Sequence, residues 1–168
     1  HNPNQQEKML MGLKTYADVV LNEYVSLGKG IIESARYLQT TTEIAHALEM
    51  LHQYPMLAMD IEAFSLKFDE AGIGTIGFSW DEGNGIAFPC DYAVDGNGGT
   101  FTPNREVRAL LKQFFTDYVG TAMWHNANYD LKVIVYTLWM EDYLDHAGML
   151  QGIDIMTRSF HDTKLLNY

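Results

Sequence analysis

The chain has 168 residues, 47% of them hydrophobic, and sets 22 carboxylates against 11 lysines and arginines for a formal net charge of −11. That is enough apolar material for one good core, and the acidic balance is the wrong sign for tight nonspecific binding of nucleic acid by charge alone. A single cysteine, Cys90, excludes an internal disulfide and a cysteine-based zinc site, and the lack of a long apolar window or signal-peptide pattern favours a soluble, cytoplasmic setting with no membrane.

Met9, Leu13, Tyr16, Val20 and Tyr24 recur at helical intervals, which predicts an amphipathic helix over 8–27 ending near Gly28 and Gly30. A short strand is expected over 35–39. Thr40 stands three residues before Glu43, the spacing of a capping box, so a helix over 42–53 follows with Ile44, Ala47, Leu48 and Leu51 inward. Pro55 closes that connection, and 56–61 forms the first core strand. Two further β-like runs, 73–80 and 86–89, flank Asp81-Glu-Gly-Asn-Gly85, a hairpin turn sequence. Cys90, beside Pro89 in an apolar run, reads as a buried strand residue. The glycine-rich stretch 95–99 is expected as a surface loop. Pro103 and Asn104 introduce a helix carrying Val107, Leu110, Leu111, Phe114 and Tyr118; then come a strand over 121–124 and a helix from about Asn128 to Met140. Met9, Met59 and Trp139 are expected in packing roles. Periodicity alone thus describes an α/β domain.

Two acidic clusters stand out. The first, Met56-Leu-Ala-Met-Asp60-Ile-Glu62, delivers two carboxylates at spacing two from an apolar strand, so both point to one side. Paired acids on a largely buried strand repel each other unless a cation neutralises them, and their hard oxygens suit Mg²⁺ or Mn²⁺. The second, Trp124-His125-Asn126-Ala127-Asn128-Tyr129-Asp130, closes a strand and opens a helix. Asp130 alone would read as an acid in a first helical turn, and Asn126 or Asn128 as a cap or turn residue. His125, His146 and His161 have no ligand-set spacing.

In these two clusters the chain resembles the 3′–5′ proofreading exonuclease domain of A-family DNA polymerases, within the DnaQ-like (DEDD) superfamily, whose motifs are Asp-x-Glu on the first strand and Asn-x-x-x-Asp at a helix start. Phe160-His-Asp-Thr-Lys-Leu-Leu-Asn-Tyr168 is also similar to the family's Asp-Thr helix start. The resemblance covers roughly 35–168, leaving 1–34 as a helical extension, and implies a ribonuclease H-like mixed sheet flanked by helices. It further implies that Asp60, Glu62 and Asp130 hold two Mg²⁺ or Mn²⁺ ions and carry the hydrolysis of 3′-terminal phosphodiesters. By the same resemblance Asn126 lies near the scissile nucleotide and Leu66 against the terminal base; Phe64, where the family usually has a polar residue, is expected as an aromatic near that base. The implied partners are a single-stranded or frayed DNA 3′ end and a polymerase domain of the same parent chain. The family's third motif, Tyr-x-x-x-Asp or His-x-x-x-x-Asp after the Asp162 segment, does not occur before Tyr168. With His1 in place of an initiator methionine, this leads us to expect a fragment of a longer protein that is weakly active or inactive by itself. The alternatives are a ribonuclease D-type exoribonuclease, which shares both motifs, and a catalytically silent exonuclease-fold interaction module, which the intact carboxylates argue against and the absent third motif leaves open.

Overall fold

The computed structural model describes residues 3–20, 35–95 and 98–166. Two compact units emerge, His1–Glu33 and Ser34–Tyr168. The first contains helix α1 (Pro3–Val20). It begins five residues earlier than its apolar periodicity predicts, and the remainder of the predicted helix, with Tyr24, lies outside the described residues. Met9 is 68% exposed, so the packing role expected for it is not seen, whereas Met59 and Trp139 are buried as expected.

The second unit is built on a six-stranded mixed sheet of β1 (Ala35–Tyr37), β2 (Met56–Ala63), β3 (Ile73–Ser79), β4 (Gly85–Pro89), β7 (Thr121–Trp124) and β8 (Phe160–Asp162). Their order is β1-β4-β3-β2-β7-β8. The two central hairpin pairs, β2 with β3 and β3 with β4, are antiparallel; β1 with β4, β2 with β7 and β7 with β8 are parallel. Between β4 and the next helix a separate hairpin, β5 (Tyr92–Asp95) and β6 (Gly98–Phe101), replaces the surface loop expected at 95–99. Gly99 serves strand packing there: a side chain on it would collide with the Tyr92 ring.

One face of the sheet carries the core. Leu57, Met59 and Ile61 of β2 are buried, and register sets Met59 opposite Phe78 and Ile61 opposite Ile76. Against them pack α2 (Thr41–Leu51), α4 (Arg105–Asp117) and α5 (Asn128–Trp139), with Phe78 edge-on to Phe114 at 5.4 Å. The predicted capping box forms at α2: the Glu43 N–H donates to Thr40 Oγ1, and the Thr40 N–H donates back to the Glu43 carboxylate. A helix that periodicity does not predict, α6 (His146–Thr157), lies along α5. Short helices α3 (Phe68–Ala71) and α7 (Thr163–Leu166) follow β2 and β8.

The other face is different. Ala58, Thr75, Gly77, Ser79, Ala87 and Met123 are only half-buried, and Met56, Asp60 and Glu62 are exposed. Strict alternation along β2 therefore turns Ile61 into the core and both acids out onto this open face.

Candidate active site

Three parallel strands, β2, β7 and β8, end side by side, and the acidic clusters of the sequence lie at those ends. Ligand sites of α/β sheets form beyond the carboxyl ends of strands, where neighbouring chains diverge. Asp60 and Glu62 come from the last half of β2, just before a bulge at Glu62 and Ala63 that ends regular pairing with β3. Asp130 sits in the first turn of α5 and is buried. Its carboxyl is pushed up to about 6, first by burial and then by the charges of Asp60 and Glu62. The fold thus brings the three sequence-predicted acids into one electrostatic group, although they are seventy positions apart in the chain.

Asn126 adopts a left-handed backbone, φ 59°, a conformation asparagine visits more readily than most residues and one that hydrogen bonds to a neighbour can fix. Here the holding group is Asp162, a residue whose role sequence patterns did not reveal. The N–H groups of Asn126 and Lys164 donate to its Oδ1 at 2.9 Å each, and the Ala127 N–H donates to Oδ2 at 3.0 Å. Burial alone would raise the Asp162 carboxyl, but these amide donors, with His125 nearby, hold it below its usual range. Neither Asn126 nor Asn128 caps α5 through its side chain; the Asp162 carboxylate of β8 accepts instead from the N–H of Ala127, the residue at the cap position. The loop is fastened further by His125 Nδ1 with Thr163 Oγ1 at 2.9 Å and by Lys164 Nζ donating to Asn126 Oδ1 at 3.0 Å.

The turn after β2 joins the same assembly. The Tyr129 hydroxyl donates to the Ser65 carbonyl, tying the start of α5 to the segment that carries Phe64 and Leu66. Leu66 is 94% exposed, an apolar side chain with no described protein partner. Phe64 is half-exposed and packs on the β5–β6 hairpin, edge-on to Phe101 at 5.2 Å and stacked near Tyr92.

The donor set suits a hard divalent cation in kind, being all carboxylate, and both the burial and the added repulsion that raise Asp130 are what such a cation offsets. In this arrangement no three His, Cys, Asp or Glu side chains among the described residues are drawn together tightly enough to form a finished ligand cluster. A cavity of about 460 Å³ lies elsewhere, between α5 and α6, lined by Phe68, Leu131, Val135, Met149 and Met156 among others, with no carboxylate in its wall. No described helix is long and apolar enough to cross a membrane.

No protein-family model matches the chain, and no curated protein matches it in sequence. Its fold is shared by solved structures. The RNase domain of yeast Pop2 superposes with a TM-score of 0.57 at 14% identity, over 86% of this chain and 72% of its own. Pop2p of S. pombe in a Mg²⁺- and Mn²⁺-bound form gives 0.54 at 12% identity, over 80% and 75%. The catalytic core of RRP6 from Trypanosoma brucei aligns at 16% identity and TM-score 0.44 over 64% of this chain, which spans only 26% of that structure. At these identities the likeness is one of architecture: the chain has a ribonuclease H-like fold, a mixed sheet flanked by helices.

Proposed function

We propose that this domain is a metal-dependent 3′–5′ exonuclease that removes nucleotides from the 3′ end of a nucleic acid. What supports the reading is the placement of Asp60 and Glu62 at the end of β2 and of Asp130 in the first turn of α5, where burial and then the charges of the first two raise the third. Asp60, Glu62 and Asp130 would hold two Mg²⁺ or Mn²⁺ ions, which when bound lower the pKa of an attacking water and neutralise charge on the phosphoryl and leaving oxygens. The protein's own part is positional. Asp162 sets the Asn126 backbone, and with it the start of α5, so that the Asp130 carboxyl is presented beside β2. Leu66 offers an exposed apolar surface to the terminal base, and Phe64 a half-exposed ring beside it; such contacts accept any base, because every base has an apolar face. A frayed end enters such a site more readily than a paired one, so selection of mispaired ends needs no base-specific contact.

The A-polymerase-like motifs point to DNA as substrate and to proofreading beside a polymerase domain. A ribonuclease D-type activity on RNA is the second reading, favoured by the RNase domain of Pop2 among the structures that share the fold. The deciding experiment offers 5′-labelled single strands of DNA and RNA of one sequence, with Mn²⁺ or with EDTA. Slow shortening of the DNA strand with Mn²⁺ alone is expected; preferential shortening of RNA would establish the second reading, and shortening of either strand in EDTA would contradict the metal-dependent mechanism.

A further inference from the structure

We infer that Lys164 is a phosphate-binding residue, holding the backbone of a single-stranded nucleic acid next to its reacting end. The inference rests on the exonuclease reading above and adds to it a contact outside the carboxylate group.

Strand register places the lysine. Ala58 of β2 lies opposite Met123 of β7, so Asp60 is level with His125, the first residue beyond β7. Trp124 lies opposite Asp162 of β8, so His125 is in turn level with Thr163, and Lys164 follows. Two interstrand steps separate β2 from β8, roughly 10 Å. A strand whose terminal phosphate lies at Asp60 and Glu62 would bring a neighbouring phosphate over the ends of β7 and β8.

The chemistry of the side chain agrees with that placement. Among the described residues the ion pairs are Lys67 with Glu70 and Arg108 with Asp91; Lys164 pairs with no carboxylate. Its ammonium instead donates to a neutral oxygen, Asn126 Oδ1, which fixes its direction without cancelling its charge. The side chain is exposed, so the remaining N–H donors face solvent. In a chain of net charge −11, a directed and uncompensated cation at the rim of the site is where a polyanion would gain most. The competing role, a neutral tether for the Asn126 loop, uses only the hydrogen bond, and Gln at this position could still donate one.

The test is equilibrium binding of a fluorescent single-stranded oligonucleotide, with a hydrolysis-resistant 3′-terminal linkage, across a series of salt concentrations. Each phosphate neutralised on a single strand contributes about 0.7 to the slope of log K against log salt. Lys164→Gln should lower the slope by about that one contact, Lys164→Arg should keep the wild-type slope, and neither should change the melting temperature appreciably. A Lys164→Gln slope equal to wild type, or a Lys164→Arg slope equal to that of Lys164→Gln, would overturn the assignment. If that occurs while strand shortening still depends on Asp60, the exonuclease reading survives alone; a wild-type protein that binds no strand overturns both.

Discussion

The Asp130 carboxyl, buried beside Asp60 and Glu62, has its pKa pushed up to about 6, above the ordinary aspartate value of about 3.9. A raised carboxyl pKa means that the folded state binds the proton more tightly than the unfolded one. The group's contribution is therefore favourable near pH 4, declines as pH rises through 4–6, and is unfavourable at pH 7. In EDTA, Asp130→Asn should stabilise the fold at pH 7 by about 1–2 kcal/mol after allowance for solvent screening, with the advantage gone near pH 4. Melting curves of both proteins at the two pH values measure this, and an Asn variant no more stable at pH 7 would remove Asp130 from the acidic group. Added Mn²⁺ should raise the wild-type melting temperature and leave the variant nearly unmoved.

Asp162 shows the limit of residue-level reading. In sequence it is one more acid before a threonine at a helix start. Its partners, the amides of Asn126 and Ala127, lie 35 and 36 positions away and are met only once β7 and β8 pair. Asp162→Asn keeps the shape but offers one acceptor oxygen where two are used, so an amide N–H would face an NH₂ group. We expect weaker Mn²⁺ binding together with altered NMR shifts at Asn126 and Ala127. Unchanged shifts at those two amides would contradict the positioning role.

At the scale of elements, legibility followed the strength of the hydrophobic period. The strand carrying Asp60, the capped α2, the strand over 121–124 and α5 were all readable, because each buries branched or aromatic residues at its own period. Helix α6 was not, since the face it buries is Gly148, Gly152 and Met156, small residues that leave no apolar stripe. Those glycines permit close approach to α5: a side chain on Gly152 would come within 2.8 Å of Val135. The junction of β4 and α4 hides a second tertiary device. Asp91, fully buried after β4, accepts from Arg108 Nε at 2.7 Å and Nη2 at 2.8 Å, and from the backbone amides of Ile73 and Asn104. It joins β3, the α4 N-terminus and the base of the β5–β6 hairpin. Burial beside this acid raises the Cys90 thiol far above its usual range, which keeps it a packed, unreactive group. Arg108→Ala strands a buried charge and should cost about 3 kcal/mol in urea unfolding; a loss below about 1 kcal/mol would class the pair with surface bridges.

For the molecule as a whole, fold and charge fit together with the proposed chemistry. An acidic chain repels a polyanion at long range, so on the proposed reading binding would be local, through cations at Asp60, Glu62 and Asp130 and through the rim at Lys164. The sheet supplies the geometry: one face is filled by α2, α4 and α5, and the other presents both β2 acids to the open. The sequence motifs located this region because alternation and helix starts are local properties. The order of strands, which sets β8 beside β7 and brings Lys164 to Asn126, is not local and became visible only in the fold.

The most direct test of the account is a ladder assay on a 5′-labelled single strand with Mn²⁺, comparing the protein with its Asp60→Ala variant. Asp60 is exposed on the open face and has no packing role, so the variant should fold normally. Slow loss of one nucleotide at a time from the 3′ end, abolished in Asp60→Ala, is the predicted result. Shortening that persists in the variant would contradict the claim that these carboxylates form a metal-dependent exonuclease site.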